Sequence, residues 1–329
     1  MILTASFGSA TTPPTYRLSH YQSLVTAAAR AGFDAALFVR SPGPTAPMLD
    51  AVPLIAALAS VPVSIGLGAG IPVEYTEPFH LARAFAAIDR LTRGRSAVVL
   101  DLAATADLTA AIGRTAAAGY GKAIEFLEAT TKLWDSWEDD AILVDRPAGL
   151  FTDPGKIHRI NHDGAHYSVR GPLNAPRPIQ GWPVIVVPVA SAASHAFAAQ
   201  AADVALLAAS SQDAAQRARA RMLEMAEAFG RPPGATRILV DVFPTFGRTG
   251  ADPQRAANPF TGTPARVADL MRTWHDAGAC DGFNLLSPDL PAEADLIAAC
   301  LTTLARTTPD GTTLRQRLGL PRPPSRYAA

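Results

Sequence analysis

The feature that most constrains this chain is an alternation of short β-like runs with longer helical stretches, repeated eight times. Strands are expected at 2–7, 35–40, 63–69, 97–102, 183–189, 204–208, 237–243 and 282–286. Helices are expected after them at 17–31, 46–60, 78–91, 120–137, 191–201, 210–229, 263–277 and 291–306. Strand-then-helix repetition implies a parallel sheet with crossover helices. Eight such units in 329 residues suit one closed (β/α)8 TIM barrel, a single domain over 1–329. Periodicity alone does not establish closure, so an open doubly wound sheet stays as the alternative. Two stretches interrupt the alternation. Residues 138–182, rich in Pro, Gly, His and Asp, are expected as an excursion with a hairpin turn at Asp163-Gly164. Residues 244–262 are expected as a loop after the seventh strand, on the face where barrels keep their active sites. The tail at 307–329 is expected as a surface wrap.

Composition narrows the function classes. A hydrophobic share of 48% with 18% charged residues describes a globular chain with a large core. The 29 basic and 29 acidic residues cancel, which argues against a nucleic-acid or anionic-membrane surface. No apolar run approaches the roughly 20 residues of a membrane span. The opening MILTASFGSATTPP lacks the basic and apolar regions of a signal peptide. The two cysteines, Cys280 and Cys300, are too few for a disulfide framework, so a reduced, cytoplasmic setting is expected.

In a barrel, side chains at the C-terminal strand ends face the site. Those ends carry Ser6, Arg40, Gly68, Gly70, Asp101, Ser191, Asp241 and Asn284. Gly68 and Gly70 either let a flat ligand approach the backbone or simply ease barrel packing. Ser191 opens the helix SAASHAFAAQ, with Ser194 three residues on. It is either an ordinary N-cap or part of a phosphate site made by free N–H groups and the helix dipole. No GxGxxG, P-loop or nucleophile-elbow pattern is present. His158, His162 and His166 have i, i+4, i+8 spacing, but their stretch is Gly-rich, so a structural excursion is expected and no metal. His80 and Arg83 either bind an anion or line a packing surface. Trp134 and Trp137 are expected to anchor the fourth helix against the barrel.

Several of these stretches carry a resemblance. EPFHLARAFAAIDRLTRGR (77–95), the run from FLEATTKLWDSWEDD to QGWPVIV (126–186), GTPARVADLMRTWHDAGACDGFNLL (262–286) and TLRQRLGLPRPPSRYA (313–328) are similar to one family. The chain resembles luciferase-like flavin-dependent monooxygenases of the nitrilotriacetate, alkanesulfonate and dibenzothiophene-sulfone branch; LWDSW and VRGPLN are specific to that branch. The resemblance implies a barrel, usually dimeric through its second and third helices. It implies reduced FMN delivered by a separate flavin reductase, O2 as co-substrate and a small organic molecule as the substrate oxygenated. FMN phosphate is then expected at Ser191 and Ser194, with Tyr120, Gly68 and Gly70 also near the cofactor.

The sequence also departs from the family pattern. Gly70 stands at a threonine position, Val99 at an asparagine, and Leu102 and Ala103 at a terminal polar pair. Ala116 stands at a histidine four residues before Tyr120, and DRLTRGR puts Arg90 and Arg93 where His and Gly are usual. The lid insertion after the seventh strand is shortened between Arg248 and Thr263. Three functions follow. In a rebuilt FMNH2-dependent monooxygenase, Asp101, Arg40 and Asp241 contact the substrate or a repositioned flavin. A flavin-free subunit would instead support an active paralogue as a heterodimer. A cofactor-independent barrel enzyme would use Asp101, Asp241 and Tyr120 as acid–base groups.

Overall fold

A computed structural model describes residues 1–8, 16–39, 49–102, 119–246, 260–286, 290–304 and 311–327. Its eight parallel strands are β1 (Ile2–Phe7), β2 (Ala35–Phe38), β3 (Gly66–Pro72), β4 (Ser96–Asp101), β5 (Val184–Val189), β6 (Val204–Ala208), β7 (Arg237–Val242) and β8 (Gly282–Leu286). They pair in the order β1-β8-β7-β6-β5-β4-β3-β2 and close, so the open-sheet alternative is set aside. Helices α1 (Leu18–Arg30), α2 (Ala51–Leu58), α3 (Pro78–Leu91), α4 (Tyr120–Asp135), α5 (Ala192–Ala201), α6 (Gln212–Ala228), α7 (Pro264–Asp276) and α8 (Leu290–Leu304) follow the strands in turn.

Alternation along each strand separates two cores. Outward residues such as Ala36 and Phe38, Val98 and Leu100, or Val240 and Val242 meet the helices in one large cluster. Inward residues Leu37, Ala97, Val99, Val184, Val186, Val204, Leu206 and Leu239 fill the bore. The helices present matching stripes. Tyr21, Leu24, Val25 and Ala28 of α1 are buried at i, i+3, i+4 and i+7, which puts them on one face. On α7, Thr263 accepts the Arg266 N–H at the N-cap and Pro264 occupies the first turn, where its missing N–H costs nothing.

Two expected starts move by three residues or more. β3 starts at Gly66 instead of 63, because Val63 donates its N–H back to the Val61 carbonyl in a tight turn. The β-branched run there outweighs the glycines in a propensity reading, although the glycines form the strand. α2 starts at Ala51, where the Asp50 carboxylate accepts the Val52 N–H at 2.9 Å.

The excursion holds two antiparallel pairs, Ile142–Asp145 with Leu150–Thr152 and His162–Asp163 with Ser168–Val169; the second is the hairpin expected at Asp163-Gly164. Trp134 donates to the Ala82 carbonyl at 3.0 Å, so it anchors α4 to α3, and Trp137 donates to Leu173 in the excursion at 2.7 Å.

The tail is not confined to the surface. Leu314, Leu318 and Leu320 belong to the inward core and plug the N-terminal floor of the bore. Arg315, 2% exposed, grips Asp203 through both guanidinium ends at 3.0 and 2.5 Å and donates to the Trp182 carbonyl at 2.8 Å. Leu314 lies where a Cβ on Gly66 would come 2.8 Å from its Cδ1, and with Leu318 and Leu320 it fills the opening at the strand starts.

Candidate active site

The inward positions nearest the C-terminal face form an unequal ring. On β2, β3, β5 and β6 they are Val39, Gly70, Pro188 and Ala208, all without a polar side chain. On β1, β8 and β7, which are neighbours, lie Thr4, Ser6, Asn284 and Asp241. Asn284 is 1% exposed and is the hub: its carbonyl accepts the Thr4 hydroxyl at 2.8 Å and the Ser6 hydroxyl at 3.0 Å. Its amide donates to Asp241 Oδ1 at 2.7 Å. Two hydroxyl donors on one oxygen fix which end of the amide faces the carboxylate. Asp241 keeps part of its surface open to the mouth, yet desolvation inside the barrel pushes its carboxyl up to about 6, with the Asn284 N–H pulling it the other way.

Asp101 ends β4 at the inward parity set by Ala97 and Val99, and it is half-buried. β5 and β6 stand between its strand and β7, so the two carboxylates lie on different sides of the mouth. Arg40 and Ala116, and the lid segment 247–259, lie outside the described residues. Either side of that segment, Thr245–Phe246 pairs in parallel with Thr261–Gly262.

Gly68 is buried, and a Cβ there would lie 2.5 Å from Leu37 Cδ2 and 3.4 Å from the Ala97 Cβ, so its missing side chain makes room for barrel neighbours. Gly70 lies one layer higher, opposite Val99, and is half-buried at the mouth.

Ser191, Ala192 and Ala193 are exposed at the start of α5, two residues beyond β5. Ser191 Oγ accepts the Ser194 N–H at 3.1 Å, while buried Ser194 Oγ accepts the N–H groups of Ser191 at 2.9 Å and Ala190 at 3.0 Å. The structure therefore contains the capping reading of Ser191 in full. The cap leaves the N–H groups of Ala192 and Ala193, at the first two helical positions, without intrahelical acceptors. Small side chains and the positive end of the dipole make that turn a fit for a phosphate.

Tyr120 begins α4, and its hydroxyl donates to Gln200 of α5; burial pushes that phenol up. This bond commits Tyr120 to the helix layer and not to either mouth carboxylate. The excursion's histidines make hydrogen bonds and ring contacts within the helix and excursion layer. His158 pairs with Glu138 at 2.7 Å and stacks on Tyr327, His162 lies between Lys132 and Glu125, and the His166 N–H bonds the Glu125 carboxylate. His80 and Arg83 are both exposed on α3.

Sequence reasoning placed Ser6, Asp241 and Asn284 at strand ends but missed Thr4 and the amide that joins them. The available signal was the Thr4–Ser6 spacing of two on β1, which puts both hydroxyls on the bore side.

The sequence model of a family described as luciferase-like monooxygenase matches residues 1–275. Nitrilotriacetate monooxygenase component A of Aminobacter aminovorans is 30% identical over 368 aligned residues, covering 85% of this chain and 81% of that protein. One of the subunits of pristinamycin IIA synthase from Streptomyces pristinaespiralis is 33% identical over 317 residues, covering 96% of this chain and 94% of that one. The solved EDTA monooxygenase from Chelativorans sp. BNC1 superposes with a TM-score of 0.82 at 24% identity, over 98% of this chain and 99% of that one. The match to the nitrilotriacetate enzyme runs to 368 positions while using 85% of 329 residues, so that relative carries insertions this chain lacks. With the synthase polypeptide, 317 positions use 96% of the chain, so that relative carries almost no insertions against it.

Proposed function

The chain belongs to the luciferase-like monooxygenase family, and from that premise we propose that it is a two-component monooxygenase using reduced FMN and O2 on a small organic substrate. The observation that supports this most is the exposed first turn of α5, where Ser191, Ala192 and Ala193 present an anion-binding helix end directly after β5. Gly70 offers the adjoining space for the ring, and Val99 and Leu206 below it form an apolar floor.

Reduced flavin, when bound, supplies the electrons that activate O2 so that one oxygen atom reaches the substrate. The chain's own residues bind and enclose. The Ala192 and Ala193 N–H groups hold the phosphate, the apolar bore keeps water from below, and the leucine plug closes the floor. Asp241 and Asp101 are the ionisable groups of the mouth among the described inward strand positions. A separate flavin reductase, a cytoplasmic setting and a homodimer through α2 and α3 complete this reading.

An anaerobic titration with reduced FMN tests it. Binding at micromolar or tighter concentration, weakened in Ser191→Asp, is the expected result; no binding at high micromolar flavin rejects it.

A second reading has one specific support, the near-equal length shared with a polypeptide that is one part of a multi-chain synthase. Here the chain works with a paralogue that carries the insertions. Stoichiometric copurification with such a paralogue, together with no flavin affinity alone, would select it over the first.

A further inference from the structure

Apart from Asp101 on β4, the polar side chains at the described inward positions of the mouth lie on three adjacent strands, and their chemistry is directional. Thr4 and Ser6 donate to the Asn284 carbonyl, and the Asn284 amide donates to Asp241 Oδ1. Every donor in the chain thus points toward one carboxylate. Among the described residues Asn284 is the sole hydrogen-bond partner of Asp241, and it engages Oδ1. Of the other described inward positions there, Val39, Gly70, Pro188 and Ala208 carry no polar side chain, and Asp101 is the exception.

Among the described residues, the groups facing Asp241 add no positive charge. From β6 the neighbouring position is Ala208, from β8 Asn284, and from β1 Thr4 and Ser6. Among the described residues the only other ionisable group at an inward position on this end is Asp101 on β4. An ionised carboxylate withdrawn from water without a cation is costly and gains most from a cationic, hydrogen-bonding partner. A substrate carboxylate would meet repulsion there.

We infer that Asp241 is the specificity-determining residue of the mouth, taking the ammonium end of an otherwise apolar small substrate, and that Asn284 is the residue that positions it. The assignment rests on the barrel mouth being the substrate site of the proposed monooxygenase. Asn284 acts through Asp241: it holds Oδ1 and so fixes the orientation of the carboxylate. Desolvation pushes the Asp241 carboxyl up to about 6, so the acceptor is charged at neutral pH and largely neutral at pH 5.

The test uses the full chain and three isosteric probes, cyclohexylamine, cyclohexanol and cyclohexanecarboxylate, titrated calorimetrically from pH 5 to pH 8. Cyclohexylamine stays protonated across that range, so its pH dependence reports the protein. Its affinity should rise about tenfold over the range with a midpoint near 6, following ionisation of one carboxyl. The alcohol should show no step, and the carboxylate should bind worst at pH 8. Asp241→Asn should abolish the step. Asn284→Ala should keep a step but move its midpoint upward, because a lowering N–H is lost; a merely structural role would not move it.

Equal amine and alcohol affinity at pH 8, or a step that survives Asp241→Asn, overturns the assignment. If the variants do not fold, the three probes on the unaltered chain decide it. A parallel reduced-FMN titration separates the two claims. Flavin binding without amine preference sinks this assignment alone, and amine preference without flavin binding sinks the flavin reading alone.

Discussion

Asn284 and Asp241 sit opposite each other on adjacent strands β8 and β7, joined by a 2.7 Å bond from the amide to the carboxylate. The register sets that pairing, and the amide cannot turn away without breaking two hydroxyl bonds from β1. Replacing Asn284 by Ala leaves the Thr4 and Ser6 hydroxyls and one carboxylate oxygen without their partner in a buried layer. A loss of about 3 kcal/mol is expected, read as a lower denaturant midpoint with an unchanged slope.

Asp241 itself should cost stability at neutral pH. Its folded-state value is raised from 3.8 to about 6, so the folded state holds the proton more tightly than the unfolded one. The stabilisation from that proton is complete below 3.8 and is lost as pH rises through 6. Asp241→Asn should therefore be more stable than the parent by about 3 kcal/mol at pH 8, with the gap closing toward pH 4. Denaturant melts at pH 4, 6 and 8 check it, and a gap that is flat with pH contradicts it.

Ser191 separates capping from ligand binding. Aspartate caps a helix as well as serine, whereas alanine does not. Ser191→Ala should lose about 1 kcal/mol of stability. Ser191→Asp should melt like the parent, yet bind reduced FMN at least about tenfold more weakly, because a second negative charge meets the phosphate. Equal flavin affinity in Ser191→Asp would remove the phosphate from this helix end.

Arg93 occupies a left-handed backbone conformation, φ 56°, at the exposed end of α3, where the resembled family has glycine. A side chain there carries a strain of about 1 kcal/mol. Arg93→Gly should raise the thermal midpoint above that of the parent, and Arg93→Val should lower it.

The floor depends on guanidinium geometry. Arg315 meets Asp203 with two nitrogens and reaches carbonyls of Trp182, Pro183 and Pro321. Arg315→Ala should cost about 3–5 kcal/mol, since it strands a mostly buried carboxylate. Arg315→Lys should recover little, because a single ammonium cannot span the fork.

The barrel was legible because its signals are local. Runs such as AVVLDL and PVIVVPV have β-branched density, and the α1 and α7 stripes repeat at helical spacing. The glycine-rich start of β3 was not, since its strand character comes from pairing with β2 and β4 and not from propensity. The plugging role of Leu314, Leu318 and Leu320 was hidden for a related reason: many of their partners, Ala35 and Val184 among them, lie over a hundred residues away. At the mouth, the residue types at strand ends could be read from the sequence. The bond from Asn284 to Asp241 could not, because it needs the register of three strands that meet only when the barrel closes.

That floor also orders events during synthesis. Residues 311–327 follow all eight strands, so they leave a ribosome only after the cylinder they seal has its full set of staves. Until then the bore is a tube open below, wetted along its aliphatic lining. Drying it falls to three leucines that arrive last, and a nascent chain stalled before them is left as a leaking vessel with its hydrocarbon interior on offer to chaperones or to other chains.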